Sequence, residues 1–112
     1  MVAINVFYTD RFIDDWAVGC ARGPLIFIRP KYKEDKGLLA HEQVHVKQWF
    51  KTLALHPFLY LFSAKYRYKS ELEAYKEQLK YSPDKASKYA EFIKTRYNLS
   101  IDYDRVLEDL TS

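Results

Sequence analysis

His41-Glu42-Gln43-Val44-His45 lies inside a run of helical periodicity that extends from about Asp35 to His56. On a helix, residues i and i+4 share a face, so His41 and His45 point the same way. Two neutral imidazoles so placed supply two of the ligands that a tetrahedral zinc needs. Glu42 sits about 100° round the helix from His41, within reach of a water on such a metal. The same projection puts Leu38, Leu39, Val46, Trp49, Phe50 and Leu53 in one apolar stripe, with Gln43, Lys47 and Lys51 opposite and facing water. His41 and His45 fall at the margin of the stripe and Glu42 falls inside it. A charged, unpaired carboxylate in a core-facing stripe costs several kcal/mol, so a cation beside it is the expected compensation.

Two histidines leave zinc short of a ligand, since catalytic sites typically use three protein ligands plus water. His56 is the only other histidine, and it stands at an expected helix break before Pro57. A third histidine six residues after His45, with a glycine between, is ruled out because Lys51 and Gln48 occupy those positions. Glu71, in Glu71-Leu72-Glu73-Ala74-Tyr75, is the better candidate. Read as a helix, this segment has an apolar stripe of Tyr68, Leu72, Tyr75 and Leu79, and Glu71 lies at its edge. Glu73 lies further round, among Lys76, Glu77 and Lys80, and is expected to be solvated. Ala74, one turn after Glu71, is small enough to let the two helices approach closely.

These residues resemble the gluzincin type of zinc metallopeptidase. The H-E-x-x-H is complete at His41, Glu42 and His45, and Glu71-x-x-Ala74-Tyr75 is similar to the E-x-x-A-D element that carries the third ligand in several such families. The chain also resembles small bacterial and phage proteins that share H-E-x-V-H-x-x-Q followed by E-x-E-A-Y. The resemblance covers about residues 38 to 80. It implies a zincin-like fold, His41, His45 and Glu71 as zinc ligands, and Glu42 as the catalytic base. It departs at Tyr75, where the family pattern often has an aspartate that orients a histidine ligand. Loss of such a partner weakens metal affinity by roughly 10–100-fold unless a hydroxyl or carbonyl replaces it.

The implied activity is a zinc-dependent hydrolase, most naturally a peptidase acting on a peptide or protein substrate. Zinc lowers the pKa of a bound water toward about 7. Glu42 then takes the proton and passes it to the leaving amine. An oxyanion stabiliser is also required. Tyr66, Arg67 and Tyr68 are candidates. Gln48, one turn beyond His45, either lines the cleft or faces solvent.

The expected architecture is α+β: one domain over residues 1–112, with a small, mostly antiparallel N-terminal sheet and a helical remainder that holds the metal between two helices. Apolar residues at 48% suffice for a core at this length. Val2–Tyr8, Trp16–Ala21 and Leu25–Arg29 read as strands, with a turn at Arg22-Gly23. The last of these is a candidate edge beside the cleft, open to an extended substrate. Asp35 reads as the N-cap of the first helix and Ser70-Glu71-Leu72-Glu73 as a capping box that opens a second. Asp84 reads as the cap of a third, which ends near Tyr97 and Asn98 with Tyr89, Phe92 and Ile93 inward. A last helix covers Asp102 to Leu110. The longest apolar run, Leu53 to Ala64, is about twelve residues, short of the ~20 that span a membrane. Its Phe58-Leu59-Tyr60-Leu61-Phe62 core is expected to pack on the first helix rather than attach to a surface. The single Cys20 precludes an internal disulfide and suits a reducing, cytoplasmic setting.

Two other classes of function compete. A non-catalytic zinc-binding adaptor or inhibitor would use the same ligands, but it has no use for Glu42. A single-stranded nucleic-acid binder would use the Lys65-Tyr66-Arg67-Tyr68-Lys69 run. A net charge of only +3, with acidic residues scattered through the same helices, argues against that partner.

Overall fold

The computed structural model describes residues 5–112 and has an α+β architecture. Strands β1 (Asn5–Tyr8), β2 (Gly19–Arg22) and β3 (Leu25–Ile28) precede helices α1 (Lys36–Lys51), α2 (His56–Phe62), α3 (Ala64–Leu79), α4 (Ala86–Arg96) and α5 (Tyr103–Thr111). The expected strand start at Val2–Ile4 lies outside the described residues. The sheet order is β1-β3-β2, with β3 parallel to β1 and antiparallel to β2. The sheet is therefore mixed rather than mostly antiparallel. Strand β3 is its centre, so Leu25–Arg29 is not the edge, and β2 is. A two-residue loop, Gly23-Pro24, joins β2 to β3, and Gly23 takes a positive φ of 60° there. Ile26 and Ile28 of β3 point into a cluster with Leu38 and Val46 of α1. Phe27 alternates to the other face, against Phe7 and Phe12. Arg29 fixes the long β1–β2 connection by donating to the carbonyls of Ala17, Asp14 and Asp10 at 2.8, 3.0 and 3.3 Å.

Helix α1 starts where its cap dictates: the Asp35 carboxylate accepts from Leu38 N at 2.9 Å. It stops earlier than the apolar periodicity suggests. Leu53 and Ala54 take φ values of 54° and 71°, a left-handed step with no glycine to announce it. His56-Pro57 then opens α2, because a proline at the first turn suits a helix start. Two expectations fail here. Leu53 does not continue the buried stripe but is 86% exposed, and Phe50 is exposed as well. Phe58, Leu61 and Phe62 do not pack on α1 but face outward.

Helix α3 begins six residues before the expected capping box. The Ser63 hydroxyl accepts from Tyr66 N at 3.1 Å and serves as the cap. Ser70 and Glu71 are thus mid-helix and buried, so Glu71 gains nothing from a helix N-terminus. Asp84 sits in a short 3-10 turn, Pro83–Lys85, and does not cap α4. Tyr89, Ala90 and Ile93 of α4 join Tyr75 of α3 and Val106 and Leu110 of α5 in a second cluster, which Phe92 flanks. Asn98 ends the segment at φ 54°, a conformation that asparagine tolerates better than most residues. Among the described residues, no helix is long and apolar enough to cross a membrane.

Candidate metal centre

The two clusters meet across α1 and α3, and the polar site lies between them. Ala74 is fully buried and its methyl group permits close approach of the helices. His41 Nε2 and His45 Nε2 lie 3.4 and 3.3 Å from Glu71 Oε1. The three candidate ligand atoms fall within 4.8 Å of one another, and all three residues are buried. The structure therefore brings His41, His45 and Glu71 together, as their spacing on two helices suggests.

A polar network fixes the His45 ring. Gln48 Nε2 donates to Glu73 Oε1 at 2.6 Å and to the Ser70 carbonyl at 3.2 Å. Its amide oxygen therefore faces His45 Nδ1 at 2.9 Å and also accepts from Ser70 Oγ at 2.7 Å. His45 Nδ1 must carry the proton in this arrangement. Its Nε2 lone pair then looks directly at a carboxylate oxygen, and only a second proton or a metal cation between them reconciles the two. The electrostatics agree. Burial pulls the His45 imidazole down, but the Glu71 carboxylate overrides this and holds it up at about 9. Burial likewise pushes Glu71 up, and the facing imidazoles of His45 and His41 hold it well below the usual carboxylate range. A site that stabilises positive charge between these groups, built from two imidazoles and a carboxylate, fits a divalent cation such as zinc.

The other side chains divide differently from expectation. The Tyr60 hydroxyl, from α2, donates to Glu71 Oε2 and orients the carboxylate. Nothing in the sequence marks it: Pro57 announces a helix break, but not the left-handed step at Leu53 and Ala54 that precedes α2. Tyr75 does not replace the aspartate of the family pattern. It places its ring edge-on to His41, 4.3 Å between centroids, and shares its hydroxyl with Tyr97. His41 Nδ1 is left buried with no hydrogen-bond partner among the described residues. Gln48 lies inside the network, and Glu73 is drawn into it rather than only solvated. His56 is not a ligand of this group. Its Nδ1 is hydrogen-bonded to the Tyr66 hydroxyl at 2.7 Å, and burial, then the His45 charge, lowers it to about 4.

All three candidates for oxyanion stabilisation are engaged elsewhere. Arg67 donates to the carbonyls of Tyr60 and Tyr97, both at 2.7 Å, and Tyr68 donates to Asp109 at 2.6 Å. Tyr66 is held by His56.

Glu42 is 5% exposed and makes no hydrogen bond among the described residues. Burial raises its pKa against the lowering pull of His41 and His45. It opens on a cavity of about 70 Å³ lined with Val18 and Gly19 at the β2 edge, His41, Tyr75, Trp16 and Arg96. A side chain at Gly19 would meet the Phe27 carbonyl at 3.1 Å and Glu42 Oε2 at 3.6 Å, so glycine keeps this wall open. Arg96, from the end of α4, lies over the Phe92 ring at 3.7 Å and reaches the Trp16 ring at 5.8 Å. Its place on this wall depends on the tertiary fold, and no local signal near Arg96 announces it. No protein-family model matches the chain, and neither a curated protein nor a solved structure matches it.

Proposed function

We propose that the protein is a zinc-dependent hydrolase, and within that class a peptidase. The observation that supports this most is the pairing of a three-residue ligand group with a buried carboxylate that has no other partner. A purely structural metal site closes its coordination with protein ligands and has no need of a group such as Glu42. A divalent cation held by His41, His45 and Glu71 would supply Lewis acidity, polarising a water or a carbonyl oxygen.

The chain's own residues supply the rest. Glu42, whose carboxyl burial pushes up, is suited to accept a proton and return it to a leaving amine. Arg96 replaces Tyr66, Arg67 and Tyr68 as the candidate for stabilising negative charge on the reacting oxygen. Strand β2, rather than β3, is the edge beside the cavity, so an extended peptide would pair there through its backbone. The cavity is small, about 70 Å³, so substrate selection would rest on this edge and not on a deep pocket. The single Cys20 supports a reducing, cytoplasmic setting.

Glu42→Gln tests the reading. The variant should bind zinc as the wild type does, lose hydrolysis of a mixed peptide library by about 10²–10⁴-fold, and be no less stable. Equal stability and equal zinc, with no hydrolysis by the wild type either, would favour the non-catalytic adaptor instead.

A further inference from the structure

Between Glu42 and Glu71 the chain contains no acidic residue, yet it contains Lys47, Lys51, Lys65 and Lys69. All four lysines are exposed, and none makes an ion pair among the described residues. Lys47 and Lys51 are one turn apart on the last turns of α1. Lys65 and Lys69 are one turn apart on the first turns of α3. Between these pairs lie the α1–α2 turn and α2, which expose Leu53, Leu55, Phe58, Leu61 and Phe62 at 86, 56, 66, 68 and 77%. Leu53 is held out on a left-handed backbone that leucine rarely adopts. An apolar patch of this kind on a folded chain marks a surface that something covers.

We infer that this patch inserts into the interface of an anionic lipid membrane, with the lysines on the headgroups. Three features favour lipid over a protein. The patch lacks a free polar group to set orientation: the Tyr60 hydroxyl is spent on Glu71, and the neighbouring Arg67 guanidinium is spent on backbone carbonyls. Protein interfaces carry regular hydrogen bonds, whereas hydrocarbon requires none. The flanking charge is mostly positive, four lysines against the exposed Glu73 one turn beyond Lys69, and this excess complements an anionic leaflet. A second copy of the chain would set lysines against lysines, so self-association through this face is disfavoured.

The test is co-sedimentation of the full chain with vesicles of phosphatidylcholine alone and of phosphatidylcholine with phosphatidylserine, at low and high salt. The protein should sediment with the serine lipid only, and less so at high salt. Lys51→Glu and Lys65→Glu should each weaken partitioning by roughly fivefold or more. Phe58→Asp with Leu61→Asp, at positions that face solvent and leave the core intact, should abolish it while zinc content and far-ultraviolet dichroism stay unchanged. That zinc readout keeps the lipid result separate from the fate of the metal site. No sedimentation with the serine lipid overturns the inference, as does sedimentation that ignores the double variant. A dimer that the double variant dissociates would overturn it in favour of an interface between copies.

Discussion

Helices α1 and α2 follow one another in the chain and sort their side chains in opposite ways. Helix α1 buries two histidines, a glutamate and a glutamine, while α2 turns phenylalanines and leucines to the solvent. Each helix departs from the usual partition of polar out and apolar in. Each departure has a cost that packing alone does not repay, because buried ions lose hydration and exposed apolar surface stays in contact with water. Such departures are where selection for something other than stability is to be sought. Between the two helices sits a turn with two non-glycine residues at positive φ, and it sends the chain from one regime into the other.

The largest contrast in stability should lie between the shared core and α2. Ile93→Ala, fully buried, should lose about 2–5 kcal/mol in denaturant unfolding. Leu61→Ala, removing as large a side chain from α2, should stay within about 0.5 kcal/mol of wild type. A loss at Leu61 comparable to that at Ile93 would mean that α2 is covered within the fold.

Within α1, the network behind His45 should matter next. Gln48→Ala removes the oxygen that fixes the ring, and it should weaken zinc binding by about 10–100-fold in a chelator competition with little change in secondary structure. Unchanged affinity would make Gln48 a bystander in the core.

The pH dependence sharpens the same point with a smaller effect per unit. His45 is held at about 9, above its ordinary value of 6.5, in the metal-free protein. Its pairing with Glu71 therefore stabilises that form fully below about pH 6.5, and this contribution is lost as pH rises through 9. Glu71 is held below its ordinary value of 4.5, so its contribution is present above that value and lost as pH falls through the depressed one. Metal binding at neutral pH must displace the His45 proton. Zinc affinity should rise about tenfold per pH unit as pH approaches about 9 from below and level off above it. Calorimetry in buffers of different ionisation enthalpy should count about one proton released.

Much of α1 and α3 was legible in the sequence because helical spacing is a local property. The Asp35 cap, the shared face of His41 and His45, the burial of Glu42 and the inward edge position of Glu71 all follow from residues within two turns of one another. Long-range features were not legible. The parallel pairing of β1 with β3 passes over β2 and leaves no turn signature. The end of α1 is set by Leu53 and Ala54, two residues with no intrinsic liking for the left-handed step. Ser70 matches a capping box, but Ser63 reaches a backbone donor first and starts the helix. Tyr60 and Arg96 reach the site only through tertiary packing, and the family pattern at Tyr75 gives way to an aromatic edge against His41.

The central claim is that His41, His45 and Glu71 hold one divalent cation. Elemental analysis of tag-free protein beside His45→Ala and Glu71→Ala tests it most directly. Wild type should hold about one zinc per chain, His45→Ala none, and Glu71→Ala a weakly retained fraction. A folded wild-type protein that takes up no metal after zinc is added would contradict it, and the three residues would then be an ion pair closed by a proton inside the core.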